Sequence, residues 1–220
     1  MKEIVFIDID TQFDFMLSKG KLYVPGAEKL VPNLKLLTQA AFKNDILIIS
    51  SVDAHIKNDP EFKQFPAHCV EKSSGQKKIP QTLLKKHIFI PRKIVSRKEL
   101  LDKIKGYNQI IIEKNTYDVF TNFNLSRLLK PFNEAFVYGV ALDYCVKYAV
   151  LGLLQSGLKV NLAMDAVSAV EPKEGKALLA KFKNNGVKLV KTREVLSQIP
   201  RRQQHVKSGY RGIRKLGFGD

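Results

Sequence analysis

Two cysteines in 220 residues, Cys69 and Cys145, stand too far apart to suggest a disulfide framework. No apolar run approaches about 18 residues, the length at which a membrane-spanning helix becomes an option. Nor does the chain open on a charged-then-apolar leader. These absences lead to the expectation of a soluble protein in a reducing compartment, the cytoplasm, with no membrane partner. Acid is scarce as well: 21 Asp and Glu face 37 Lys and Arg, a net charge of +16. Such an excess would suit nucleic acid, anionic membrane or acidic metabolites. The lysines are scattered, however, as at Lys85, Lys86, Lys103, Lys105, Lys181 and Lys183, with no interleaved arginines and aromatics. A solvated surface is the simpler reading, and nucleic acid is not expected as a partner.

What is present is a repeating alternation. Short β-branched apolar runs at 4–9, 46–50, 88–90, 109–112, 135–140, 160–163 and 187–190 are separated by helix-length segments, including amphipathic stretches at 27–42, 146–157 and 173–184. Strand and helix taking turns predict parallel strands joined by crossover helices, an α/β fold of doubly wound type. The length suits one core. We therefore expect a single domain over residues 1–200. A glycine-rich basic tail over 201–220 has little to bury and is expected to be flexible. Residues 53–91 break the pattern with four prolines and three of the four histidines. They read as a long functional loop interrupted by a short strand.

Ligands of open parallel sheets bind beyond the carboxyl ends of the strands, so the polar residues that follow the apolar runs are the candidates for chemistry. Asp8 and Asp10 close the first run, Glu113 and Lys114 the fourth, and Asp143, Tyr144 and Cys145 follow the fifth. Cys145 falls where a strand enters a helix, and free backbone N–H groups with the helix dipole favour a thiolate there. Taken singly, each has a plainer reading: Cys145 as an inert core thiol, Asp10 as a loop or cap residue, Lys114 as a surface charge. Together they could act as nucleophile, base and orienting cation. In the excursion, Asp53 and His55 are two apart on an extended segment and point the same way, with Glu61 and His68 available to complete a metal site.

The chain resembles the isochorismatase-like cysteine hydrolases, and within them the nicotinamidase (pyrazinamidase) branch. The likeness rests on IDTQFDF at 9–15, VPGAE at 24–28, SVDAH at 51–55, FPAHCV at 65–70, EKNTYDVF at 113–120, and VYGVALDYCVKYAV at 137–150 with DAVSAV downstream. It implies a three-layer α/β/α fold with a mainly parallel six-stranded sheet. It also implies a catalytic triad of Asp10, Lys114 and Cys145, with Asp10 chosen over Asp8. A cis peptide between Val140 and Ala141 follows, with an oxyanion hole from the amides of Ala141 and Cys145. The expected metal ligands are Asp53, His55, Glu61 and His68, for one divalent ion: zinc, with iron or manganese as alternatives. His87 and Cys69 fall outside these roles, as a surface and a loop-packing residue.

Leu142 replaces a small residue and Phe65 a frequent tryptophan, while Phe15 and Phe65 are expected to form an aromatic pocket wall. The implied activity is hydrolysis of a small carboxamide, nicotinamide, through a thioester, by a homo-oligomer. The alternatives are another amide or ureido hydrolase of the same family and, from a different class, a basic nucleic-acid-binding module.

Overall fold

The structure, a computed structural model, describes residues 3–199. The expected basic tail at 201–220 lies outside the described residues. Among those described, all seven apolar runs are strands: β1 (Ile4–Ile9), β2 (Leu47–Asp53), β3 (His87–Ile90), β4 (Gln109–Lys114), β5 (Glu134–Val140), β6 (Lys159–Ser168) and β7 (Lys188–Val190). They form one sheet in the order β3-β4-β2-β1-β5-β6-β7, and every ladder is parallel. The expected count of six is thus corrected to seven. The outermost strand, β7, has three residues and adds to the edge at β6.

The helices are α1 (Phe13–Met16), α2 (Val31–Lys43), α3 (Arg97–Ile104), α4 (Asn124–Leu129), α5 (Cys145–Gln155), α6 (Pro172–Asn184) and α7 (Thr192–Gln198). They cover both faces of the sheet, which is why its central strands are apolar on both sides. Val5, Ile7 and Ile9 of β1 face a core shared with Leu100 of α3, Leu128 of α4, Val150 of α5 and Phe182 of α6. Phe6 faces the other core, with Leu34 and Leu37 of α2 and Val195 of α7. Strand periodicity of two divides the apolar residues between two layers of helix.

The chain reverses direction across the sheet at the β1/β5 boundary, since β1 leads to β2 on one side and β5 leads to β6 on the other. This is the switch point at which α/β folds bind ligands. The two strands approach very closely there. Gly139, opposite Ile9, has φ +117°, and a Cβ on it would lie 2.0 Å from the Ile9 carbonyl oxygen. Only glycine satisfies both conditions.

Candidate active site

The carboxyl ends of four parallel strands converge on one place. Asp53 and Lys114 are direct partners across the β2/β4 ladder, so a carboxylate and an ammonium emerge side by side. Asp10 follows β1 in a left-handed conformation, φ +47°, which aspartate tolerates better than most residues. Cys145 is the first residue of α5, a helix start with no side-chain cap. The Lys114 ammonium is fully buried; it lies 2.8 Å from Asp10 Oδ2 and 3.5 Å from Cys145 Sγ, and it also donates to Asp53. The expected triad is therefore brought together around one cation.

The two candidate aspartates of the first loop separate cleanly. Asp8 is fully buried in an ion pair with Lys78 at 2.8 Å and accepts hydrogen bonds from Thr11 and Ser50, all away from Cys145. Asp10 accepts from Ser51 at 2.6 Å, while its other oxygen faces Lys114 with no aligned hydrogen bond. Adjacent serines on β2 thus serve opposite faces of the sheet, and the left-handed turn at Asp10 moves that carboxylate to the face of the thiol.

Electrostatics set the resting state. Burial depresses the Lys114 pKa, but Asp10, Asp53 and Cys145 outweigh it and keep the ammonium charged. Burial pushes the Cys145 thiol well above its ordinary value; Lys114 pulls it down, and the carboxylates of Asp10 and Asp53 push it up again. The helix start was expected to favour a thiolate. In the folded protein burial and two carboxylates oppose the thiolate more than Lys114 favours it, so a base is needed to take the proton. Burial also raises Asp10, against the pull of Lys114, so it is better suited to accept a proton than an exposed aspartate.

Beside this group lies a second cluster. Asp53 Oδ2 is 3.8 Å from His55 Nε2 and 3.7 Å from His68 Nε2, and His68 Nε2 is 3.8 Å from Glu61 Oε1. Donor atoms bound at about 2.0–2.2 Å around one tetrahedral ion lie about 3.4 Å apart; Asp53, His55 and His68 each place a donor atom within 4.8 Å of the other two, and Glu61 borders this trio through His68. The tautomers fit as well. His68 Nδ1 is held by the Pro66 carbonyl at 2.8 Å, which leaves Nε2 free, and neither ring nitrogen of buried His55 has an aligned hydrogen bond. Negative charge is in excess. Burial would lower the His55 pKa, yet Asp53, Asp59 and Glu61 carry it above the ordinary histidine value. Burial and then Asp53 raise the Glu61 carboxyl. The cluster has the donors, spacing and charge that fit a divalent cation.

Both clusters open on one pocket, whose walls include Phe15, Val24, Phe65, Tyr117, Tyr144 and Val170, with Asp53, Glu61, His68 and Cys145 among its polar or reactive groups. The peptide between Val140 and Ala141 is cis, and both residues line the pocket. Phe15 and Phe65 both line it. Leu142 instead packs into the core beneath α6, so this departure leaves the pocket untouched. His87 is half-buried on β3 with Nδ1 on the Leu84 carbonyl, and Cys69 is buried in the excursion, donating its backbone N–H to Asp14.

Sequence reasoning missed the Lys78 pair, the Tyr117 and Tyr144 walls, and Gln12. The Gln12 side chain accepts from the backbone N–H of Asp53 and donates to its carbonyl, at 2.7 and 2.9 Å. No local pattern announces any of these contacts, which span up to about seventy residues of chain.

Known proteins share this arrangement of elements. The nicotinamidase of Escherichia coli is 27% identical over 192 residues, covering 74% of this chain and 81% of that protein. Isochorismatase family protein 2A of Dictyostelium discoideum is 31% identical over 104 residues, 46% of this chain and about half, 52%, of that relative. The crystal structure of the pyrazinamidase of Pyrococcus horikoshii in complex with zinc superposes with a TM-score of 0.70 at 26% identity, covering 86% of this chain and 99% of that one. The isochorismatase domain matches residues 4–194, the span that builds the sheet and both clusters, and the chain belongs to the isochorismatase family.

Proposed function

We propose that this isochorismatase-family hydrolase is a nicotinamidase, releasing ammonia from nicotinamide by way of a cysteine thioester. The observation that carries the reading is that Lys114 ties Asp10 and Cys145 to Asp53, so the thiol and the cation cluster share one aromatic-walled pocket. The nicotinamidase of Escherichia coli and the zinc-bound pyrazinamidase of Pyrococcus horikoshii, both similar along most of this chain, support it.

Asp10 takes the Cys145 proton as sulfur attacks the carboxamide carbon. The amides of Ala141 and Cys145 receive the oxyanion; the neighbouring amides of Leu142, Tyr144 and Val146 are already bonded to backbone carbonyls. Asp10 returns the proton to departing ammonia, then draws a proton from the water that cleaves the thioester to nicotinate and hands it to the leaving Cys145 sulfur. Lys114 holds Asp10 and offsets the negative charge throughout. A divalent ion held by Asp53, His55, Glu61 and His68, zinc in our reading, would supply a Lewis-acid anchor for the ring nitrogen. Phe15 and Phe65 would flank the ring.

The phenyl ring of Phe65, smaller than the indole frequent at that position, favours as a second reading an amide or ureido substrate bulkier than nicotinamide. Ammonia release by the purified full chain over a panel of amides separates the two. Nicotinamide should be turned over, and Cys145→Ala should abolish turnover. Undiminished release by that variant would eliminate thiol catalysis, and release from other amides alone would select the second reading.

A further inference from the structure

Asp59 is buried at the head of the short turn Pro60–Lys63, and neither of its oxygens faces the pocket. Its carboxylate is divided between two partners. Oδ1 accepts the backbone N–H of Glu61 at 3.1 Å, capping the turn that carries that residue. Oδ2 lies 3.1 Å from Nδ1 of His55 and 3.4 Å from the side-chain nitrogen of Asn115, the neighbour of Lys114. One side chain therefore touches the rear of two members of the cation cluster and the end of the strand that carries the catalytic lysine.

We infer that Asp59 is a positioning residue for the cation cluster: a single carboxylate orients His55 and places Glu61 so that both present their donor atoms to the same ion. This rests on the cluster being a metal site, as proposed above. The physical argument is one of tautomer and entropy. An imidazole whose Nδ1–H is held by a carboxylate keeps its lone pair on Nε2, the atom that faces Asp53, and becomes a stronger donor. The 3.1 Å separation is within hydrogen-bond reach, and a small rotation of the His55 ring brings it into line. Glu61 sits on a long excursion, where an unpinned backbone would lose conformational freedom on binding a cation. Capping its turn from Asp59 removes part of that cost beforehand. His68 needs no such partner, since the Pro66 carbonyl already holds its Nδ1.

The test is zinc affinity, measured by titrating the chelator-stripped full chain with zinc against a competing fluorescent chelator. Asp59→Ala should weaken zinc binding about 10- to 100-fold, with only a small fall in the urea midpoint of the zinc-free protein from the lost turn cap. Asp59→Asn, which can accept from one of the two donors at a time, should lose less. Combined with Glu61→Ala, Asp59→Ala should cost less than alone, because one of its two targets is gone.

Zinc affinity within twofold of wild type in both Asp59 variants would overturn the inference, as would full additivity with both Glu61→Ala and His55→Ala. Should Asp59→Ala fail to fold, Asp59→Asn carries the same comparison. A wild-type chain that binds no zinc overturns the metal site and this role together. A chain that binds zinc in the predicted order but leaves nicotinamide intact overturns only the substrate.

Discussion

Asp8 and Asp10 are two residues apart and both fully buried, yet their partners assign them opposite kinds of work. Asp8 neutralises Lys78 and is saturated with hydrogen bonds; Asp10 keeps an oxygen open beside the ammonium that holds Cys145. Substitutions should therefore dissociate stability from activity. Asp8→Ala leaves an ammonium buried and unpaired, a change that costs about 3–5 kcal/mol in urea unfolding. Asp10→Asn should lower kcat by about a hundredfold or more through loss of the proposed base, with a smaller stability loss because Asp53 still faces Lys114. Equal stability losses in the two variants would show that the division is mistaken. The aspartate choice could be read in the sequence only through family resemblance. The physical discriminator, Lys78, is 70 positions from Asp8 in an excursion whose path cannot be inferred from spacing.

At the scale of elements, apolar runs end where chemistry begins. The run at 46–50 continues as strand to Asp53, and the run at 109–112 to Lys114, because Ser51, Val52 and Asp53 pair with Ile112, Glu113 and Lys114 along one parallel ladder. Polarity hides the last residues of a strand from a reading based on hydrophobic periodicity, and those residues carry the site. The junction of β5 and α5 is the least tolerant element. Gly139→Ala would drive a methyl group into the Ile9 backbone and should destabilise the protein by about 3 kcal/mol or more, measured by thermal or urea unfolding. A variant of wild-type stability would mean that β1 and β5 can separate freely. On the excursion, Phe65→Ala removes a pocket wall and should raise KM for nicotinamide about 5- to 30-fold, for roughly 1–2 kcal/mol of lost apolar contact. Its kcat should change less.

For the molecule as a whole, the proposed cation would link the excursion to the sheet, since Asp53 belongs to β2 while His55, Glu61 and His68 follow it. Zinc at a hundred times its dissociation constant should stabilise the fold by about 2.7 kcal/mol, a rise in melting temperature of roughly 5–10 °C for a domain of this size. Chelation should reverse it and weaken substrate affinity. An identical melting curve with and without zinc would count against the metal site. Among the described residues no helix is long and apolar enough to cross a membrane. Deleting residues 201–220 should leave ammonia release unchanged, whereas a salt-sensitive affinity for nucleic acid that vanishes with the deletion would give those residues a separate role.

The sequence by itself determined the fold class and the alternation of parallel strands with helices, because these follow from local periodicity, and motifs a few residues long marked Asp10, Asp53, Lys114 and Cys145 as candidates. Only the tertiary structure decided that Lys78 occupies Asp8 while Lys114 faces Asp10, that burial and two carboxylates push the Cys145 thiol up, that Leu142 is a core residue, and that Asp59 lies against His55 and the Glu61 backbone. Each of these depends on distance, burial and charge between segments remote in sequence. Such quantities exist only once the sheet has set the strand register and the excursion has closed over the edge of the sheet.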